Sequence, residues 1–300
     1  MKKAFTLIEL IMVIVILAIV AGMTLNLVFV IYKNYVQSES ISRVGSQADI
    51  ILDQISKRLE YRIRSSDIAR KSSDNSILNL NNSGLNSSYN ILEFIPYSYE
   101  AFDSGVYSGI VDMDNTSSLK GIETPGSDLK RGDLVFDKLS PRNKNKDLAM
   151  IFRGVNYNVD SSFGYIGSDI DFAKVKVKDL THFNHNPSFV GKQMSEQYYL
   201  AHTAYAIVAT PNESTKSSDS AANRDFDLTL YYDYRPWLGQ KYTDKDTKST
   251  ILARHVSMFK FKEENGMVFL KLCLRDNQKQ RSSLSQSGFD FNVCRTKAVF

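Results

Sequence analysis

The chain has 300 residues, 43% of them hydrophobic and 11% aromatic, with 37 Lys and Arg against 33 Asp and Glu for a formal net charge of +4. So small a surplus over this length gives no ground for a nucleic-acid partner from charge alone. Beyond a membrane-sized apolar run at the start, the length leaves room for one domain of ordinary to large size or two small ones.

From Ala4 to Ile31 the sequence is uncharged except for Glu9. A carboxylate at bilayer depth costs about 3 kcal/mol even on the gentlest insertion scales, so Glu9 needs a partner, and a free α-amino group is the best candidate. A secretory signal would have a shorter apolar core and a small-x-small cleavage site. Ala18 to Gly22 could pass for that site, but the apolar run continues through Met23, Leu25, Leu27, Val28, Phe29, Val30 and Ile31, which argues against removal. Lys2 and Lys3 predict a cytoplasmic N-terminus, with everything after Tyr32 outside the inner membrane.

The short basic leader, Phe5, the position of Glu9 and the apolar length together closely resemble the prepilin N-terminus of type IV pilins and the pseudopilins of type II secretion and DNA-uptake machines. The resemblance implies cleavage between Ala4 and Phe5 by a prepilin peptidase and methylation of Phe5. Thr6 and Glu9 then become the second and fifth residues, and Phe5, Thr6 and Glu9 serve assembly. Most members have Gly before the cut, so Ala4 predicts slower processing. The implied partners are the peptidase, other pilin or pseudopilin subunits and an inner-membrane assembly platform, with no cofactor. Many members also carry a helix-breaking Pro in the apolar half, whose place is taken here by Asn26, with Gly22 nearby.

Ile41, Val44, Ala48, Ile51, Leu52, Ile55, Leu59 and Ile63 form one apolar stripe at helical spacing, opposite Arg43, Asp49, Asp53, Lys57, Glu60 and Arg64. No proline interrupts Phe5 to Arg70, so the spacing predicts one helix of about 100 Å whose second part, 32–70, lies on a globular head. Ser, Asn and Gly dominate 71–90 and predict a surface connection. The head, 91–300, reads as strands over Ile91 to Tyr97, Gly105 to Val111, Asp133 to Lys138, Leu148 to Arg153, Tyr199 to Thr210, Asp225 to Tyr234, Ile251 to Lys262, Met267 to Arg275 and Asp290 to Phe300. Glu263-Glu264-Asn265-Gly266 predicts a hairpin turn. A long helix followed by an antiparallel sheet is an α+β arrangement, the pilin-like architecture that the resemblance also implies.

Cys273 and Cys294 fall in the last two strand-like runs. Outside the cytoplasm they most simply form one disulfide, worth about 3 kcal/mol by loop entropy. A metal site would lack nearby His, and free thiols would lack a reactive-cysteine motif. The pattern around Cys273 and Cys294 also resembles that of secretion or competence pseudopilin-like proteins of certain Gram-negative bacteria.

No G-x-S-x-G elbow or phosphate loop occurs, and His182 and His185 lack the spacing and the glutamate of a helical zinc motif, so the chain reads as no enzyme. His202 and His255 sit on strand-like runs, where a hydrogen-bonded structural role is the commoner one. Asp112, Asp114, Thr116, Ser118 and Glu123 occupy the oxygen spacings of a calcium loop. The turn glycine is replaced by Ser117, and Lys120 adds charge of the wrong sign, so a solvated loop is the better reading. Arg131-Gly132-Asp133 suits a turn entering a strand. Lys57, Arg58, Arg62, Arg64, Arg70 and Lys71, with the loop Arg142 to Lys146, could touch DNA phosphates, although interleaved acids weaken the field. The reading is a structural minor subunit of a secretion, pilus or DNA-uptake filament. The alternative is a membrane-tethered module that captures DNA or a secreted substrate.

Overall fold

A computed structural model describes residues 6–117, 120–144, 146–167, 169–211, 225–276 and 292–300. One helix, α1 (Leu7–Glu60), runs unbroken for 54 residues, about 80 Å at the ordinary rise. From Leu7 to Tyr35 every residue is exposed. From Ser40 a buried stripe begins, through Val44, Ala48, Ile51, Leu52, Ile55 and Leu59, at the spacing read from the sequence, although Ile41 stays 39% exposed.

The helix stops at Glu60, ten residues short of the boundary that the absence of proline suggested. Ile63 and Ile68 continue an apolar pattern, but they are buried between sheets rather than along the helix stripe. A strand, β1 (Ile68–Lys71), pairs with β2 (Ile77–Asn79) and β3 (Tyr89–Phe94), and this long-range pairing overrides local helix preference. The connection over 71–90 therefore contains a strand. Around it the turn chemistry holds: the backbone N–H groups of Ser76, Gly84 and Ser88 donate to the side chains of Asp74, Asn82 and Asn86.

Two antiparallel sheets make the head. The second contains β4 (Asp112–Ser117), β5 (Gly121–Glu123), β6 (Leu148–Phe152), β7 (Ala173–Val177), β8 (His182–His185) and β9 (Tyr198–Ala201), in the order β4-β5-β8-β7-β6-β9. The first adds β10 (Ala204–Pro211), β11 (Phe226–Tyr234), β12 (Lys248–Glu264), β13 (Met267–Arg275) and β14 (Asn292–Val299), in the order β14-β13-β12-β11-β10-β3-β1-β2. The period-two alternation of strands sorts their side chains between cores. Along β6, Leu148, Met150 and Phe152 face one core while Ala149 and Ile151 face another. One core lies between α1 and the first sheet, a second between the sheets, and a third under α2 (Tyr99–Asp103) and α3 (Leu129–Leu139).

Several strand expectations change. Asp133 to Lys138 lies inside α3, whose Leu129, Gly132 and Phe136 are buried at helical spacing. A Cβ on Gly132 would come within 2.6 Å of Val106 Cγ1, so this glycine marks close packing within a helix and not a turn. Gly105 to Val111 forms turns with one isolated bridge, Ile110 to Gln197. The run Tyr199 to Thr210 is split at His202 and Thr203 into β9 and β10, which belong to different sheets. The β12–β13 hairpin has positive φ at Asn265 (54°) and Gly266 (75°), as a two-residue primed turn requires. Cys273 and Cys294 are direct partners across β13 and β14 and form the disulfide, with Cα atoms 4.0 Å apart.

Two buried polar joints hold these layers in register. Just past α1, the Arg62 guanidinium donates through Nε to Asp67 Oδ2 at 2.7 Å, through Nη1 to the carbonyls of Leu59 and Phe300, and through Nη2 to that of Gly266. It thus ties the helix end to the β12–β13 turn and to the end of β14. Where the chain crosses between sheets, Ser98 Oγ contacts His202 Nδ1, and the buried Arg235 donates to the carbonyl of His202 and to Asp233. Burial, with Arg235 adding repulsion, pulls the His202 pKa down to about 4. Burial acts the other way on the carboxyls of Asp67 and Glu93, raising both against the pull of Arg62 and Arg70.

Replacing Arg62 by Ala leaves Asp67 buried without its cation and should cost about 3–5 kcal/mol in urea unfolding, with the larger share of the loss from the α1–head joint. His202 gives a pH dependence. Unfolded His takes up its proton near pH 6.5 and the folded residue only near 4, so its contribution is intact above about 6.5 and declines toward 4, by on the order of 3 kcal/mol. In His202→Gln that decline should vanish. The difference between the two pH–stability curves isolates it from the opposite trend of Asp67 and Glu93.

Candidate membrane and assembly segment

The first half of α1 is apolar on all sides and touches nothing in the head. Its apolar window has a mean hydropathy of 2.8 and none of it is buried, which fits an element whose solvent is lipid or neighbouring helices. Tyr32, Lys33 and Tyr35 follow the apolar run, residue types that favour the membrane–water boundary.

At the start of this helix, Thr6 is the N-cap and Glu9 completes a capping box. Glu9 Oε2 accepts from the Thr6 backbone N–H at 3.0 Å and from Thr6 Oγ1 at 2.9 Å. The sequence reading looked for the partner of Glu9 in an amino group. The structure adds a nearer one within the same chain and leaves Oε1 with no hydrogen-bond partner among the described residues. Ala4 and Phe5, the cleavage-site residues, lie outside the described residues. The helix is continuous through Gly22 and Asn26, and Thr24 Oγ1 bonds back to the carbonyls of Val20 and Ala21 at 2.8 and 3.0 Å.

The described residues of the other candidate sites stand on the second sheet. Asp112 to Ser117 is one arm of the β4–β5 hairpin, with Asp112 opposite Glu123. The Asp112 carboxylate accepts from Asn115 Nδ2 and from the backbone N–H groups of Asn115 and Asp114, which together hold it below the usual carboxylate range. Asp114, Thr116 and Glu123 belong to the same hairpin, Ser118 lies outside the described residues, and among the described residues no three acidic, His or Cys side chains gather as a metal site would need. His182 and His185 stand on β8, and His182 Nδ1 contacts Asp179.

Four of the basic residues named as possible phosphate contacts have internal partners. Arg62 and Arg70 are buried against Asp67 and Glu93, Arg142 donates to the carbonyl of Asp233, and Lys146 sits between Asp133 and Asp137. These cations look solvated in the sequence because Glu93 reaches Arg70 by strand pairing, and Asp133 and Asp137 reach Lys146 from α3, a segment whose pattern reads as a strand.

Comparison with protein families matches residues 1–25 to the prokaryotic N-terminal methylation motif. No curated protein and no solved structure matches the chain. The chain therefore carries the type IV pilin and pseudopilin signature at its start, joined to a long apolar helix and an antiparallel α+β head that fit a pilin-like fold.

Proposed function

We propose that this chain is a minor structural subunit of a pilin-like filament, processed by a prepilin peptidase and assembled through α1. One observation carries the reading: a single unbroken helix is bare and apolar as far as Tyr35 and then buried along one stripe from Ser40 onward. Such a helix needs one environment for its first half and supplies a rigid strut to the head with its second.

In this reading Lys2 and Lys3 stay cytoplasmic, cleavage between Ala4 and Phe5 frees an amino group, and the head lies outside the inner membrane. On extraction into the filament, the bare halves of neighbouring helices bundle, with close packing and polar contacts holding them. The Glu9 carboxylate, anchored by Thr6 through one oxygen, offers the other to the Phe5 amino group of a neighbour and so sets axial register. An inner-membrane platform and sibling subunits complete the machine, whether it serves secretion, a pilus or DNA uptake. Capture of DNA by the head draws less support, since Arg62, Arg70, Arg142 and Lys146 are engaged internally.

Glu9→Val should leave N-terminal processing intact by mass spectrometry while incorporation into sheared filaments falls about tenfold, as loss of an interhelical polar contact worth about 1–2 kcal/mol would give. Undiminished incorporation would overturn the register role. Ala4→Gly should shorten the half-time of leader removal in a pulse-chase, and an unchanged half-time would show that Ala4 does not limit processing.

A further inference from the structure

Beside the C-terminal end of α1 lies a groove of about 830 Å³ lined by Arg64, Tyr97, Phe102, Ile110, Arg153 and Tyr199, among others. That is ample for a specific ligand. Two of its tyrosines, Tyr97 and Tyr199, stack on each other at 5.2 Å, and Tyr61, outside the lining, meets Tyr97 edge-on at 5.7 Å. The Arg153 guanidinium covers Tyr199 at 5.3 Å. A nucleic-acid base or a sugar ring binds aromatic side chains through open ring faces, and the faces that Tyr97 and Tyr199 turn to each other, with the Tyr199 ring under Arg153, are taken.

What the cluster offers instead is edges and hydroxyls. Among the described residues, the hydroxyls of Tyr97 and Tyr199 have no hydrogen-bond partner. Phe102 and Ile110 beside them are 46% and 51% exposed, large apolar surface with no cover. Gly109 and Gly154, both at positive φ, leave bare backbone in the wall where another backbone can approach.

Charge narrows the partner. Arg153 is held by Tyr199 and by its Nη1 bond to Gln197 Oε1 at 2.9 Å, and neither it nor Arg64 ion-pairs with a described carboxylate. Arg62 below is neutralised by Asp67, and Glu60 is the one acidic side chain in the lining. A pre-positioned guanidinium with spare N–H groups fits a carboxylate, and clustered Tyr and Arg are the residues that carry binding energy at polypeptide interfaces.

We infer that this groove docks an extended polypeptide segment carrying acidic side chains beside an apolar anchor. The site is independent of how the filament assembles, and its test requires no filament. The full chain in detergent micelles is panned against displayed random 12-residue peptides, in parallel with an Arg64→Glu, Arg153→Glu double variant. Both arginines are exposed and outside the buried ion pairs, so circular dichroism and the thermal midpoint should be unchanged.

Peptides enriched on the native chain should combine Asp or Glu with Leu, Ile or Phe, and a synthetic copy should bind the double variant at least about tenfold more weakly. Replacing its acids with Lys should restore binding to the double variant alone. Absence of acidic enrichment, equal binding to both proteins, stronger binding of oligodeoxythymidylate or a chito-oligosaccharide, or occupation of the groove by a second copy, seen as self-association abolished by the double variant, would each overturn the assignment.

Discussion

The fold depends on one helix that must satisfy two solvents. The first half of α1 has no polar face, and the second has one apolar stripe. Water suits neither half alone. The head exists, in physical terms, to cover that stripe, and the bare half is left for lipid or for other helices. Everything else is arranged around the point where the helix meets the head.

That junction is held by more than apolar contact. The inner face of the first sheet and the α1 stripe form one continuous core. Ion pairs from Asp49 and Asp53 to Arg295 and Lys297 of β14 line its edge, and Arg43 reaches Asp276 at the end of β13. The two pairs to β14 are exposed and add little individually. Arg62 differs because it is buried, and its five-donor fork gathers the helix end, the β12–β13 turn and the end of β14 onto one cation. A pull on the helix is thereby delivered to several strands at once.

The second sheet gives the head its size. The core between it and the first sheet contains small residues, Ala149, Ala201, Ala204 and Ala206, together with the buried rings of Phe163, Phe172 and Trp237. The chain passes between the sheets at His202 and Thr203, where Arg235 donates to the carbonyls of His202 and Asp233 and Thr203 Oγ1 accepts from the Asp233 backbone N–H, satisfying backbone that neither ladder uses. The layering leaves the tyrosine-lined groove at the end where α1 stops, clear of the bare helix half.

Legible in the amino-acid order alone are the membrane-type segment, the position of Glu9, the helical stripe from Val44 to Leu59, the hairpin at Asn265 and Gly266, and the antiparallel strands from Phe226 onward. Each rests on local physics: uninterrupted apolarity, a 3.6-residue or two-residue period, or a turn that only certain residues adopt. Long-range packing sets where α1 ends, makes Asp133 to Lys138 helix, divides one β-type run between two sheets, and buries Arg62 and Arg70. Those outcomes depend on partners far away in sequence. Ile68 joins a ladder because Leu92 and Glu93 lie alongside it, and Arg70 leaves solvent because Glu93 and Tyr234 are assembled by strand pairing. A local pattern of residues carries no record of such neighbours, whereas the free energy of burial depends on them entirely.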